Sequence, residues 1–336
     1  MDRPQWEQLI PHYSLTIPNP IRLNNLSAQA KAKFYRAYFG EVDFLLKELQ
    51  YENNNNDFDA TVREKIETLR NLNHSNMTKY FGLAMRQIAV NSLILYRVST
   101  EYHTGGDLSE WVQRRLADPN QQTETTLFTP HATVQKFLRD LLAGLCYIHS
   151  FGIIHCDIKP ENLLLRQCRR HSLVIVDFEG SAMNGELQGR VQSVDFTARY
   201  AAPELLLCTA MLGNDCESGI TISDKTDIWS VGCVAIQLCT GAHPIIRKWK
   251  EPIGALEDWE GSYGEQTFTQ RQQIMYQVAE HQARPKIPDL GNTTADALLI
   301  SFMKSCLQFT MEHRRTAVQL LSDRHGYLCL EQELTA

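Results

Sequence analysis

Eight residues decide the fold: His-Cys-Asp-Ile-Lys-Pro-Glu-Asn, at positions 155–162. Apolar runs flank them on both sides, which predicts a loop between two buried elements. Within this loop a carboxylate (Asp157) can orient a hydroxyl and accept its proton, and an ammonium (Lys159) can neutralise a transferring phosphate. An amide oxygen (Asn162) can hold a magnesium ion. These three residue types at this spacing therefore suit phosphoryl transfer.

A second acidic residue follows this loop along the chain. Leu173 to Val176 is a continuous apolar run, typical of a buried strand, and Asp177-Phe178 closes it. A carboxylate at the end of a buried strand is a natural second ligand for a divalent cation. The sequence therefore predicts that Asn162 and Asp177 hold Mg2+ or Mn2+.

These motifs and three later ones resemble the eukaryotic protein kinase superfamily, serine/threonine type. The 155–162 loop matches the family pattern H-R-D-x-K-x-x-N, with Cys156 in the place of the arginine and Lys159 as the serine/threonine-type choice. The other matches, in order, are Asp177-Phe178-Glu179 for D-F-G, Ala202-Pro203-Glu204 for A-P-E, Asp227 to Gly232 for D-x-W-S-x-G, and Arg314 for the arginine that pairs with the A-P-E glutamate. Motifs in register over about residues 30–325 are not expected by chance.

The resemblance implies an α+β, bilobal protein kinase-like fold. Residues 30–104 would form a small β-rich N-lobe with one main helix, and residues 105–325 a large α-rich C-lobe. Residues 1–29 are an N-terminal flank without an assigned element, and residues 326–336 are a C-terminal tail. This arrangement is one catalytic module with short flanks.

Local sequence patterns predict the same division. Before residue 104 they indicate a helix over Asp59–Leu72 and strands over Lys33–Phe39, Val42–Leu49, Met77–Leu83 and Leu93–Glu101. After residue 106 they indicate a helix opened by Asp107 with Glu110, and further helices over Val134–Ser150, Asp227–Cys239, Gln273–His281 and Ala297–Leu307.

The resemblance also implies roles for individual residues. Asp157 would be the catalytic base, Lys159 would contact the γ-phosphate, and Thr197 would brace both of them. The residues expected to bind ATP are Lys47 at the α/β-phosphates, the gatekeeper Thr100, Glu101 and His103 through their hinge backbone groups, and Leu164 beneath the adenine. The implied function is transfer of the γ-phosphoryl group of ATP to a serine or threonine hydroxyl of a protein substrate.

Four departures from the family pattern keep a second hypothesis open. No glycine precedes Gly40, so the Gly-rich phosphate loop is absent. Lys65 stands where the family places the glutamate that pairs with Lys47, Leu45 replaces a small alanine that roofs the adenine pocket, and Glu179 replaces the glycine of D-F-G. All of these departures except the last concern the part of the chain that is expected to bind ATP. The alternative is therefore a pseudokinase that acts as a binding or scaffold module.

Composition excludes several other classes of function. The 336 residues are 43% hydrophobic with a net charge of −6, which favours a large core and argues against a nucleic acid or an anionic membrane as the main partner. No apolar run is long enough to span a membrane, the N-terminus lacks the apolar core of a secretory signal, and the nine cysteines form no C-x-x-C pair. We expect an intracellular, cytoplasmic protein. Two stretches exceed the usual family spacing, 205–225 and the polar 249–267, and they are either tolerated surface loops or docking sites for a regulatory protein.

Overall fold

The computed structural model describes residues 33–39, 42–52, 56–87, 93–118, 127–167, 171–183, 196–210, 222–244, 247–250, 255–258 and 284–332. The chain divides into two compact units, and the division falls between Thr104 and Gly105. Four predicted features lie wholly or mostly outside the described residues: the flank 1–29, the helix over Gln273–His281 and the two long stretches 205–225 and 249–267.

The first unit is built on a four-stranded antiparallel sheet with the strand order β1-β2-β4-β3. Side chains alternate along β2, where Phe44, Leu46 and Glu48 are buried and the residues between them are half-buried. This alternation is the period-two pattern of a strand with one face in the core. The strands are β1 (Lys33–Phe39), β2 (Val42–Glu52), β3 (Tyr80–Gln87) and β4 (Leu93–Glu101).

One helix accompanies this sheet in the described part of the first unit. It is α1 (Asn56–Asn71), which packs against β3 through buried Ile66 and Leu69. The helix begins at Asn56 rather than at the predicted Asp59, because its first turn consists mostly of Asn and Asp, which have low helix propensity. The predicted strand over Met77–Leu83 is shifted to Tyr80–Gln87.

The second unit is helical and centres on α3 (His131–Ser150) and α5 (Asp224–Thr240). Every residue of α5 from Thr226 to Cys239 is buried, which explains why its sequence is apolar nearly all round. A capping box between Ser223 and Thr226 starts the helix, and Gly241 ends it with a φ of 71°.

Shorter elements complete the second unit. Strands β5 and β6 pair antiparallel, as do β7 and β8. In chain order these elements are α2 (Leu108–Leu116), β5 (Leu163–Arg166), β6 (Ser172–Ile175), α4 (Pro203–Ala210), β7 (Arg247–Lys250), β8 (Ala255–Asp258), α6 (Thr294–Cys306) and α7 (Ala317–Leu321), with short 3-10 helices at Pro160–Asn162, Phe178–Gly180, Met311–His313 and Tyr327–Gln332. A β-rich first unit and a helix-rich second unit confirm the predicted fold class.

Helix α2 follows two glycines that the local backbone requires. A Cβ atom at Gly105 would lie 2.0 Å from the carbonyl oxygen of Leu165, and Gly106 has a φ of 74°. Asp107 then caps the helix, since its carboxylate accepts a hydrogen bond from the Glu110 amide at 2.7 Å. The predicted helix start at Asp107 is confirmed.

A buried ion pair ties the start of α4 to the loop before α7. All five N–H donors of Arg314 are used: two bond the Glu204 carboxylate at 2.7 and 2.6 Å, and three bond the carbonyls of Gln308, Lys225 and Phe309. Arg314 is only 1% exposed, so this charge depends on Glu204 for compensation. The pairing expected for the A-P-E glutamate is therefore present in the structure.

Replacing Arg314 tests how much this pair stabilises the second unit. We expect Arg314→Met to lower the free energy of unfolding by about 3–5 kcal/mol, because it leaves the Glu204 carboxylate buried without its cation. The measurement is urea denaturation followed by circular dichroism. The neighbouring Arg315 is the matched control, since its ion pair with Asp323 is solvent-exposed and Arg315→Met should cost under about 1 kcal/mol. Equal losses in the two variants would contradict the prediction.

Candidate functional site

The 155–162 loop is held in place by a carboxylate from the buried helix α5. Asp227 is fully buried and accepts hydrogen bonds from the His155 and Cys156 amides, both at 2.9 Å, and from the His149 ring at 2.8 Å. Burial alone would raise the pKa of Asp227, but these hydrogen bonds and the nearby histidines outweigh burial and lower it. The carboxylate therefore stays ionised and fixes the backbone where the loop begins.

His155 joins this loop to the segment that carries Asp177. Its Nε2 lies 2.8 Å from the Val176 carbonyl oxygen, and its Nδ1 accepts the Asp157 amide at 3.3 Å. The Phe178 ring packs edge-on against the imidazole, with 4.9 Å between ring centroids. One buried side chain thus sets the spacing between the two acidic residues predicted to act on phosphate and metal.

The structure brings together four of the predicted site residues around the Asp157 carboxylate. Oδ1 accepts the Thr197 amide at 2.8 Å, and Oδ2 lies 3.0 Å from the Asn162 side-chain nitrogen and 2.7 Å from Lys159 Nζ. Lys159 Nζ also donates to the Thr197 hydroxyl at 2.8 Å. Asp157 is therefore oriented at both oxygens, and Thr197 contacts both charged residues, as the resemblance predicts.

The local field keeps Lys159 protonated. Burial lowers the pKa of this ammonium, but the Asp157 carboxylate beside it outweighs that effect, with smaller contributions from Asp177 and Glu161, so the pKa lies above its ordinary value. The positive charge consequently persists throughout the neutral pH range. It lies where the predicted phosphoryl transfer would need a cation.

Asn162 and Asp177 offer oxygen ligands of the kind that Mg2+ prefers. The Asn162 side-chain nitrogen donates to the Asp157 carbonyl at 2.8 Å and to its carboxylate, which leaves the amide oxygen for a cation. Asp177 lies in a left-handed conformation, with a φ of 68°, just before the 3-10 turn Phe178–Gly180. Among the described residues, no group of three or more His, Cys, Asp or Glu side chains could hold a metal ion. Two protein oxygens still fit Mg2+, which usually takes its remaining ligands from phosphate and water.

The predicted ATP-binding residues of the first unit lie on and just after β4, and on β2. Leu45 pairs with Thr100 and Lys47 with Val98, so Lys47 and Thr100 are diagonal neighbours on one face of the sheet. Lys47 Nζ lies 5.8 Å from the centroid of the Phe34 ring. The structure therefore places these two side chains on the same surface of the first unit.

The other predicted ATP-binding residues differ in environment. Glu101 ends β4 with a half-buried side chain, and His103 is buried two residues later. In the second unit, Leu164 is half-buried on β5 and pairs with Asp107, whereas its neighbours Leu163 and Leu165 face the core. Leu164 thus points away from the core, as a residue that contacts a ligand must.

The family profile for the Protein kinase domain matches residues 37–326 of this chain, which is more than half of its length. The chain belongs to the protein kinase domain family. Among similar proteins, Mitogen-activated protein kinase kinase kinase 2 of Arabidopsis thaliana is 28% identical over 277 residues, covering 82% of this chain and 34% of that protein.

Two fungal kinases are similar at the same level. Serine/threonine-protein kinase SSK22 of Saccharomyces cerevisiae is 28% identical over 284 residues, covering 78% of this chain and 17% of that protein. MAP kinase kinase kinase wis4 of Schizosaccharomyces pombe is 29% identical over 273 residues, covering 78% and 16%. This kinase chain therefore spans about a third or less of the length of these relatives.

The departures from the kinase pattern have clear positions in the structure. In the first unit Lys65 is half-buried on α1, whereas Glu64 is exposed, so the helix turns the lysine and not its acidic neighbour inward. In the second unit Cys156 is buried with a φ of 68°, and Glu179 lies in the middle of the Phe178–Gly180 turn.

In the described part of the chain, no helix has the length and apolarity needed to cross a membrane.

Sequence reasoning missed the part that Asp227 plays in shaping the 155–162 loop. The motif match placed this residue in a buried helix but assigned it no role in the site. A signal was available, because Asp227 is the one carboxylate in the buried stretch 226–239 of this helix, and a buried carboxylate needs specific donors. The donors themselves lie 71 to 78 positions earlier in the chain, so only the tertiary structure identifies them.

Neutralising the Asp227 carboxylate should loosen the 155–162 loop. We expect Asp227→Asn to lower the free energy of unfolding by about 2–4 kcal/mol, because an amide nitrogen would face a donor that now meets a carboxylate oxygen. Urea denaturation measures the loss, and limited proteolysis reports on the loop itself. Asp224→Asn, at the half-buried first turn of the same helix, is the control and should cost under about 1 kcal/mol. A loss of similar size in both variants would show that Asp227 has no special part in holding the loop.

Proposed function

We propose that this chain is an ATP-dependent serine/threonine protein kinase. The observation that carries the proposal is the arrangement around Asp157, whose two carboxylate oxygens are held by Thr197, Asn162 and Lys159. The similar proteins, which are named as serine/threonine or mitogen-activated protein kinase kinase kinases, support the same reaction. The substrate is a protein that presents a serine or threonine hydroxyl. Residues 30–104 and 105–325 are the proposed N-lobe and C-lobe.

Asp157 is the proposed base for the acceptor hydroxyl. The Thr197 amide and the Asn162 side chain fix the carboxylate, so little conformational freedom is lost when it receives the hydroxyl proton. Lys159 holds its positive charge beside this carboxylate and stabilises the negative charge on the transferring phosphoryl oxygens. Thr197 holds the Asp157 carboxylate and the Lys159 ammonium in position relative to each other, because it contacts both of them.

ATP is the proposed donor, with Mg2+ or Mn2+ as its cation. The residues proposed to bind the nucleotide are Lys47 at the α/β-phosphates, Thr100, Glu101 and His103 around the adenine, and Leu164 beneath it. Asn162 and Asp177 are the proposed metal ligands, since both present oxygen atoms. When bound, the cation neutralises charge on the β- and γ-phosphates.

A second candidate function is a pseudokinase that serves as a binding or scaffold module. Lys65 supports it, because this half-buried residue stands where the family places a glutamate opposite Lys47. Leu45 supports it as well, because it shares a sheet face with Lys47 and Thr100. Both features concern the grip on ATP and not the transfer step. The second function therefore predicts weak nucleotide binding with weak or no ATP turnover.

Phosphoryl transfer separates the two functions. We expect the wild-type chain to transfer labelled phosphate from ATP to a generic basic protein in the presence of Mg2+ or Mn2+. Asp157→Ala should lower kcat by about 10²- to 10⁴-fold, because it removes the base. Thr197→Val should lower kcat by a smaller factor, because the Thr197 amide that holds Asp157 remains. The measurement is a steady-state assay on serine and threonine acceptors.

The control is Ser305→Ala, a substitution on α6 at a hydroxyl that bonds only its own helix. Its kcat should equal that of the wild type. Wild-type transfer no greater than that of Asp157→Ala would overturn the kinase proposal. Thermal-shift binding of ATP would then distinguish a nucleotide-binding pseudokinase from one that binds no nucleotide.

A further inference from the structure

Three consecutive residues before and at the start of β3 hold the segment expected to contact adenine. Tyr80 pairs with Thr100 across the sheet, and the Lys79 carbonyl accepts the Glu101 amide at 2.9 Å. The Thr78 hydroxyl shares a hydrogen bond with His103 Nε2 at 3.2 Å. This linker, Thr78 to Tyr80, therefore contacts each residue of the predicted hinge that was assigned to adenine binding.

The same linker also contacts the C-terminal end of helix α1. The Lys79 ammonium donates to the carbonyl oxygens of Arg70 at 3.2 Å and of Leu72 at 3.1 Å. These carbonyls lie at the C-terminal end of the helix, where backbone acceptors lack partners within the helix and a cation is favourable. Lys79 thus bonds the helix end through its side chain and the hinge through its backbone.

Burial makes the contact between Thr78 and His103 specific. Thr78 is 3% exposed and His103 is 8% exposed, so water cannot easily replace either partner. The Glu101 carboxylate lies 3.9 Å from the same His103 nitrogen, which is beyond hydrogen-bond distance. Because one nitrogen of this buried ring is fixed, the backbone of His103 is restricted as well. That backbone supplies groups that are expected to bind adenine.

We propose that Thr78 and Lys79 are positioning residues for the nucleotide: Thr78 fixes the hinge through His103, and Lys79 fixes it to the end of helix α1. The inference rests on the proposed function, because it assumes that the backbone groups of Glu101 and His103 receive the adenine. Neither residue touches the nucleotide. Both act through the shape of the segment that does.

The adenine moiety should report this effect more directly than the phosphates. We expect Thr78→Val to weaken the binding of both ATP and adenosine by about three- to tenfold, because one buried hydrogen bond is lost and both ligands carry the base. Thr78→Ser retains the hydroxyl and should bind both ligands like the wild type. Isothermal titration of the full chain with ATP and with adenosine measures the two affinities. In the transfer assay, Thr78→Val should raise KM for ATP and change kcat by less than about twofold.

Lys79→Met tests the second half of the proposal. It should weaken both ligands by about two- to fivefold, and hydrogen exchange should accelerate at the last amides of α1, since the helix end loses its cation. The matched controls are Thr68→Val, whose hydroxyl bonds the Glu64 carbonyl at the surface of α1, and Lys304→Met at an exposed position of α6. Both controls should bind ATP and adenosine like the wild type.

The outcomes separate this inference from the proposed function. Unchanged adenosine binding in Thr78→Val and Lys79→Met, or no adenosine binding by the wild type, would overturn the inference. Equal losses in Thr78→Val and Thr78→Ser would do the same, because a merely structural effect of altering this site would not depend on the hydroxyl. Adenosine binding that responds to the variants, together with transfer no greater than in Asp157→Ala, would overturn only the kinase proposal.

Discussion

The buried Asp227 carboxylate is the constraint on which the shape of the site depends. It receives two backbone amides from the loop, and one of them belongs to Cys156, which has a φ of 68°. A side chain in that left-handed region costs about 1–3 kcal/mol. Hydrogen bonds to a charged group contribute about 1.5–3 kcal/mol each, so the two amide bonds offset the backbone strain. Helix α5 therefore imposes the conformation that brings Asp157 to its partners.

This arrangement also explains how a cysteine can occupy the place of the family arginine. Asp227 bonds the Cys156 amide and not its side chain, so the loop does not need a particular side chain at that position. The segment after residue 195 is held by other contacts. Thr197 bonds Asp157 and Lys159 at its start, and Glu204 bonds Arg314 at its end. Electrostatic contacts at both ends thus order this segment in the absence of a cation at position 156.

The sequence predicts the elements whose signal is local and continuous. The buried helix α5 is apolar nearly all round, strands β1 and β2 are apolar-rich runs, and the 155–162 loop carries its chemistry at fixed spacing. Element starts are less accurate. Helix α3 begins at His131 rather than at the predicted Val134, because residues at a helix start carry little apolar periodicity.

Contacts between distant residues could not be predicted in the same way. Thr78 and His103 are 25 positions apart, and neither stands out in composition or spacing. Their pairing depends on how β3 and β4 align, including the register shift between Tyr80 and Gly82. The roles of Asp157, Lys159 and the metal ligands are predictions of another kind, because the resemblance implies them and the geometry is compatible with them.

The two units differ in how far they depart from the kinase pattern, and this difference favours an enzyme over a scaffold. In the second unit, Asp157 and Lys159 are partly buried charges that remain paired with each other and with Thr197. Burying a charged pair is costly and is often no better for stability than apolar packing. Stability alone therefore does not explain why this set is complete. In the first unit, the departures at Leu45 and Lys65 lie on β2 and α1, and the hinge contacts of Thr78 and Lys79 are present. The complete set around Asp157 and the ordered hinge therefore favour the proposed kinase function over the proposed scaffold function, and the departures in the first unit bear on how the phosphates would be held.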